Sequence, residues 1–257
     1  MPVTIDLVGR RALVTGAGQG VGRRIALTLA EAGAEVVVND LVEERAASVV
    51  SEIEAAGGRG RTAVFDVTDW PAVDAAVTAL GTLGIVVNNA GNAGKATTMG
   101  FEDMKPFAEE DPAVWEAFIR VNLFGVMYVT RAALPAMIEQ GHGRIITVIS
   151  DTGRTGEARM AAYSAAKAGA AGLIRSVARE VGMHGITANC IALGTMNQNE
   201  SPPEEEAQFD WLVKRYVIRR RGLPSDIADM ALFLASDLSP WITGQTIAVN
   251  GGYSMSL

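Results

Sequence analysis

The chain has 257 residues, 49% of them hydrophobic and 20% charged, which supplies a substantial core and excludes a disordered chain. Its 22 basic and 29 acidic residues leave a net charge of −7, arguing against a nucleic-acid or anionic-membrane partner, since both need clustered positive charge. One cysteine cannot form an internal disulfide, no Cys/His spacing suits a zinc site, and there is neither a signal-peptide start nor an 18-residue apolar run. The expectation is one soluble domain over 1–257, in a reducing, cytoplasmic compartment, with no metal and no membrane.

Seven short apolar or β-branched runs read as strands: 12–15, 35–39, 62–65, 85–88, 144–149, 186–192 and 246–250. They are continuous rather than alternating, as in strands of a parallel sheet buried on both faces. Between them lie helical windows. Val21, Ile25 and Leu29 recur at i+4 before Gly33. Asp111-Pro112 forms an N-cap and N1 pair opening a long helix towards Met137. A further helix covers 161–182, and Ser225-Asp226 opens the one carrying Ala231, Leu232 and Phe233. This βαβ order predicts a Rossmann-like, doubly wound, seven-stranded parallel sheet with helices on both faces. Two long connections, 92–106 and 194–224, follow the fourth and sixth strands, where ligands bind in open α/β sheets. The second is expected to be a substrate lid, and Glu204-Glu205-Glu206 within it to begin a helix.

The first strand runs into Thr15-Gly16-Ala17-Gly18-Gln19-Gly20-Val21-Gly22, which opens a helix. Glycines there let backbone approach a pyrophosphate that faces the helix N-terminus. Asp40 ends the second strand, 24 residues beyond Gly16. A carboxylate at that spacing accepts hydrogen bonds from adenosine ribose hydroxyls and repels a 2′-phosphate. With Gln19 and Leu41 neutral, no neighbouring cation reverses that repulsion, so NAD is the expected cofactor. Tyr163 and Lys167 stand at i and i+4 on one helix face, where an ammonium is expected to lower the phenol's pKa. Ser150 ends the fifth strand. His142 and His184 stand in no readable motif with a serine, so a Ser-His-Asp hydrolase has no support.

These residues together resemble the short-chain dehydrogenase/reductase family over nearly the whole chain. The quoted elements are the Thr15–Gly22 loop, Asp66-Val67, Asn88-Asn89-Ala90-Gly91, Val121-Asn122-Leu123, Ser150, and Tyr163 with Lys167. Phe233–Asp237, Ile242-Thr243-Gly244 and Asn250-Gly251-Gly252 complete them. The resemblance implies hydride transfer between a carbinol carbon and a nicotinamide. Tyr163 would be the general acid or base, and Lys167 would lower its pKa and bind the ribose. Ser150 would hydrogen-bond the reacting oxygen, and Asn122 would hold a water leading from Lys167 to solvent. Cofactor contacts are expected from Gly16, Gln19, Gly20, Val21, Gly22, Asp40, Asp66, Val67, Asn89, Ala90, Gly91, Tyr163, Lys167 and Met196. The family further implies a homotetramer, or at least a dimer, on the helices bearing Asn122 and Tyr163.

Some positions depart from the pattern. Leu193-Gly194 replaces the usual Pro-Gly, Gln198 stands where a threonine is usual, and Gly84 where an Asp commonly precedes the fourth strand. Thr195 is a substitute candidate for the nicotinamide amide. The 150–157 segment is similar to that of alicyclic hydroxyacyl-CoA dehydrogenases, and the chain is broadly similar to 3-oxoacyl-carrier-protein reductases. Arg154 and Arg159 then either meet a substrate carboxylate or phosphate, or Arg154 pairs with Glu157 or crosses an interface. Met99, Phe101, Met196, Phe209 and Trp211 suit an apolar lid. The expected substrate is an apolar, alicyclic or acyl-thioester secondary alcohol. A polyol, sugar or steroid is the alternative, a non-catalytic NAD-binding scaffold a remote one, and an epimerase lacks room for its second domain.

Overall fold

The computed structural model describes residues 4–91, 105–198 and 209–255. The β-branched runs assemble into one sheet of β1 (Arg11–Val14), β2 (Glu35–Asp40), β3 (Arg59–Val64), β4 (Ile85–Asn88), β5 (Gly143–Ser150), β6 (Ile186–Leu193) and β7 (Thr246–Val249). Their order is β3-β2-β1-β4-β5-β6-β7, with every pairing parallel. Helices α1 (Gly20–Glu31), α2 (Glu43–Ala55), α3 (Trp70–Leu80), α4 (Pro112–Ile119), α5 (Gly125–Gln140), α6 (Thr152–Thr155), α7 (Ala161–Val181), α8 (Asp210–Val213) and α9 (Pro224–Ala235) connect and flank the strands. The expected doubly wound seven-stranded sheet is the observed one.

Alternation along each strand feeds two cores. In β2, Val36 and Val38 join Ile25 and Leu29 of α1 and Ile227 and Leu234 of α9 on one face. Val37 points the other way, to Val77 of α3, Met137 of α5 and Ile174 of α7. Each such fully buried aliphatic side chain contributes roughly 1.5–3 kcal/mol through removal from water.

Three expectations need correction. β3 is an edge strand that begins at Arg59 and is largely exposed, because it has β2 on one side only; the apolar Phe65 that suggested burial lies just past its end. The helix expected to open at Ser225-Asp226 has Leu223 as its N-cap and Pro224 as its first residue. Asp226 is instead the third residue and accepts from the Leu223 N–H at 2.7 Å, a reach back to an orphan amide that the motif did not disclose. The helix from Asp111 starts as expected, with the Asp111 side chain accepting from Ala113 N–H at 2.9 Å. It is not uniform, however: a π turn, Arg120–Phe124, joins α4 to α5. The whole run 112–140 is long and apolar enough to cross a membrane by length and composition alone, yet it supplies Val126, Val129, Ala133 and Met137 to the second core.

Candidate active site

Strand order reverses between β1 and β4, so the loops leaving those neighbours diverge and open a crevice at the carboxyl edge. The two loops are locked together across it. Thr15 Oγ1 accepts from the backbone N–H groups of Asn89 and Ala90, each at 3.1 Å. Asn89 Nδ2 returns hydrogen bonds to the carbonyls of Thr15 and Gly16, each at 3.0 Å. Gly16 has φ +59°, and a Cβ there would stand 2.8 Å from Ala90 Cα, so the close approach requires glycine. Val67, nearly buried, underlies the same edge against Gly125, while Asp66 is exposed and accepts from Thr68 N–H at 2.8 Å.

Asp40 closes β2 with only 8% exposure. Its Oδ2 accepts from Gly18 N–H and its Oδ1 from Val42 N–H, both at 3.0 Å, which fixes the carboxylate against the glycine loop. The structure adds a cation that the sequence neighbours of Asp40 did not reveal. A Cβ on Gly18 would stand 2.6 Å from both Asp40 Oδ2 and Arg45 Cβ, so the Arg45 stem borders the same loop. At the start of α1 the cap residue Gln19 makes no side-chain cap. The Val21 N–H is instead met by Gln198 Oε1 at 3.2 Å, and that side chain lies against Gly20. A helix amide suited to an anion is thus held by the segment that follows β6.

Ser150, Tyr163, Lys167 and Asn122 converge beside this crevice. Ser150, the last residue of β5, is buried and hydrogen-bonded to the Tyr163 hydroxyl. Tyr163 packs edge-on against Phe118 with ring centroids 5.8 Å apart, and Lys167 Nζ lies 5.8 Å from the phenol ring centroid. Asn122 is fully buried in the π turn, and its Nδ2 donates to the Phe118 carbonyl at 2.9 Å. Asn122 is the middle residue of the π turn Arg120–Phe124. A Cβ on Gly91 would lie 3.2 Å from both Asn122 Oδ1 and Lys167 Nζ; the glycine keeps the space before these two polar groups open.

The electrostatics differ from expectation. The phenol of Tyr163 is pushed up, not down: burial raises its pKa, and the Ser150 hydrogen bond only pulls it partly back. Lys167 Nζ does not reach the phenol oxygen but donates to the Val148 carbonyl at 3.0 Å, and burial pushes it down to about 8.

Arg154 is tied to the residue before α6 and to the C-terminal segment. It donates to Asp151 Oδ1 at 2.7 Å and to Ser254 Oγ at 3.2 Å. Asp151, 3% exposed, also accepts from Ser254 Oγ at 2.8 Å and from Asn250 Nδ2 at 3.2 Å. Glu157 instead accepts from Tyr253 Oη at 2.8 Å and pairs with Arg215 at 3.4 Å. Arg159 is exposed with φ +66°. Thr195 donates its N–H to Tyr216 Oη at 2.8 Å. The Met196 side chain packs into the first core and against Gly222, apart from the polar set. Phe209 carries the Arg221 guanidinium 3.8 Å above its ring, and Trp211 is exposed. Met99, Phe101 and the helix expected at Glu204–Glu206 lie outside the described residues. Gln198 was visible in the sequence only as a departure from pattern; Thr152, Asp151 and Arg45 carried no signal, because their partners are distant or their contacts depend on a fold-specific turn.

The family profile described as "Enoyl-(Acyl carrier protein) reductase" matches residues 16–254. The chain is 39% identical to the (2S)-[(R)-hydroxy(phenyl)methyl]succinyl-CoA dehydrogenase subunit BbsD of Thauera aromatica, across 98% of this chain and 99% of that protein. It is 37% identical to the 3-oxoacyl-[acyl-carrier-protein] reductase FabG of Escherichia coli K12, across 98% and 100%. The crystal structure of a gluconate 5-dehydrogenase from Burkholderia cenocepacia J2315, solved with NADP and tartrate, superposes with a TM-score of 0.88 at 36% identity, covering 99% of this chain and 98% of that one.

Proposed function

This chain belongs to the short-chain dehydrogenase/reductase family, and within it we propose an NAD-dependent oxidoreductase that interconverts a secondary alcohol and a ketone. The hydrogen-bonded Ser150–Tyr163 pair at the carboxyl edge of β5, with Lys167 one helical turn beyond the phenol, carries this reading.

The residues suit a dinucleotide. Gly16 and Gly18 leave no room for a Cβ, Gly91 opens the space before Lys167, and α1 presents its N-terminus. Gly16, Gln19, Gly20, Val21 and Gly22 would cradle the pyrophosphate, Asp40 the adenosine ribose, and Asp66 and Val67 the adenine side. Asn89, Ala90, Gly91, Tyr163 and Lys167 would flank the nicotinamide ribose, with Met196 contributing backbone. The bound nicotinamide supplies hydride acceptance or donation.

The chain's own residues handle the proton. In reduction the protonated phenol of Tyr163 gives its proton to the carbonyl oxygen while Ser150 donates a hydrogen bond to that same oxygen. In oxidation Tyr163 first ionises and then takes the carbinol proton. Lys167 supplies positive charge near the phenolate and the ribose hydroxyls, and Asn122 holds a water that passes protons from Lys167 towards solvent.

Asp40 supports NAD, because its fixed carboxylate repels a 2′-phosphate. Arg45 beside Gly18 supports a second reading in which NADP is also accepted. The acyl-thioester name of the Thauera relative supports an apolar or thioester substrate. Exposed Phe124 and Met127, next to Asn122, support a dimer or tetramer formed on that helical run. Initial rates with NAD on secondary alcohols, polyols and 3-hydroxyacyl thioesters test the reading. Turnover of apolar or thioester substrates is expected; reaction of sugars or polyols alone would replace the substrate class, and no reaction with any carbinol would overturn the assignment.

A further inference from the structure

A serine hydroxyl has one proton and two lone pairs. Both lone pairs of Ser150 are engaged by a single residue: Thr152 donates its backbone N–H at 3.3 Å and its Oγ1 at 3.1 Å. The one remaining direction, along the serine's own proton, leads to the Tyr163 hydroxyl.

Thr152 is held firmly where it makes these bonds. It opens α6, which packs on α7 so closely that a Cβ on Gly153 would stand 3.0 Å from Lys167 Cβ and from Ala168 N. The preceding residue, Asp151, is tied to Arg154, Asn250 and Ser254. The turn after β5 is therefore clamped between the catalytic helix and the C-terminal segment. Among the described residues, Tyr163 meets the charged Lys167, one turn along α7, and the uncharged Phe118 of α4.

We propose that Thr152 is a positioning residue for the reaction proposed above: by donating to Ser150 Oγ, it commits the serine proton to the reacting oxygen and the phenolate. A hydroxyl that accepts hydrogen bonds is also a stronger donor, since the bonds polarise one another. The inference rests on the oxidoreductase reading, which does not itself require any role for Thr152.

The test is the pH dependence of alcohol oxidation at saturating oxidised cofactor, for the wild type, Thr152→Val and Thr152→Ser. Valine keeps the shape and removes the hydroxyl donor at 3.1 Å while the backbone N–H donor at 3.3 Å stays; Thr152→Ala serves the same comparison if valine fails to pack. In the variant without the hydroxyl kcat is expected to fall about tenfold, the worth of that one hydrogen bond in the transition state. Its rise with pH is expected to move up by roughly one unit, because a weaker serine donor stabilises the phenolate less. The cofactor KM is expected to hold, and serine to restore both quantities. A profile superimposed on the wild type, or a fall in kcat with neither a shift nor a rescue by serine, overturns this inference and leaves the reaction standing. A wild type inert towards every alcohol and thioester overturns the reaction and this inference together.

Discussion

Lys167 Nζ donates to the carbonyl oxygen of Val148 at 3.0 Å, so the lysine of α7 is anchored to β5 two residues before Ser150. One strand thereby sets the position of both the hydroxyl and the ammonium. The carbonyl also gives the ammonium a polar partner in a site where it is only 4% exposed, which an unpartnered charge could not tolerate. Lys167→Met should weaken cofactor binding and cut turnover, because both proposed duties rest on the same charge. It should also alter stability. Burial lowers the folded-state pKa from 10.5 to about 8, so between those values the unfolded chain binds more protons and this lysine makes stability rise with pH. The difference between wild-type and methionine-variant melting curves should carry that rise between about pH 8 and 10.5, while the Cys190 thiol, pushed up to about 12 by burial, pulls the other way in both.

Tyr163 sets the direction of pH dependence. Burial raises its pKa above the ordinary 10.0, and only the Ser150 bond opposes this. Ketone reduction needs the protonated phenol and should be sustained at neutral pH, whereas alcohol oxidation needs the phenolate and should climb towards alkaline pH. Tyr163→Phe keeps the ring against Phe118 but removes the proton carrier, so turnover should fall by roughly 10²-fold or more with cofactor binding intact. Near-normal turnover in stopped-flow or steady-state assays would show that another group moves the proton.

Asp40 and Arg45 both border Gly18, and the proposed cofactor preference rests on them. Asp40 should make NAD(H) bind at least about tenfold more tightly than NADP(H), a difference of about 1.4 kcal/mol. Asp40→Ala with Leu41→Arg should move preference towards NADP(H), and Arg45→Ala should weaken NADP(H) more than NAD(H). Fluorescence titration with both cofactors reads each change; equal affinities in the wild type would assign no discrimination to Asp40.

At the opposite edge of the sheet, His142 contributes acid sensitivity. Burial, then Arg144 and Arg10, lower its pKa from 6.5 to about 4, and its Nδ1 lies 2.8 Å from Arg10 Nη1, an acceptor position that suits the neutral ring. Between pH 6.5 and 4 the unfolded chain takes up a proton that the folded one refuses. The contribution is therefore whole above pH 6.5 and is lost as pH falls towards 4. His142→Gln should flatten the acid side of a plot of Tm against pH; an unchanged slope would place the sensitivity elsewhere.

Local physics made most of the fold legible in the sequence. Continuous β-branched runs announced strands buried on both faces, the Asp111-Pro112 pair announced its helix, and the Gly16–Gly22 loop with Asp40 announced the crevice, because each signal lies within a few residues or one βαβ unit. Tyr163 and Lys167 were readable for the same reason: a helix of known period puts i and i+4 on one face. Tertiary structure decided what depends on distant partners and on solvent. Asp151 finds Ser254 across about a hundred residues of chain, Gln198 reaches back to Val21 from beyond β6, and Arg45 borders Gly18 only once α2 has folded over β2. The direction of the Tyr163 shift was likewise decided by the fold. Spacing told only that an ammonium is near, whereas the pKa follows from how much water the packed site removes and from which oxygen that ammonium meets.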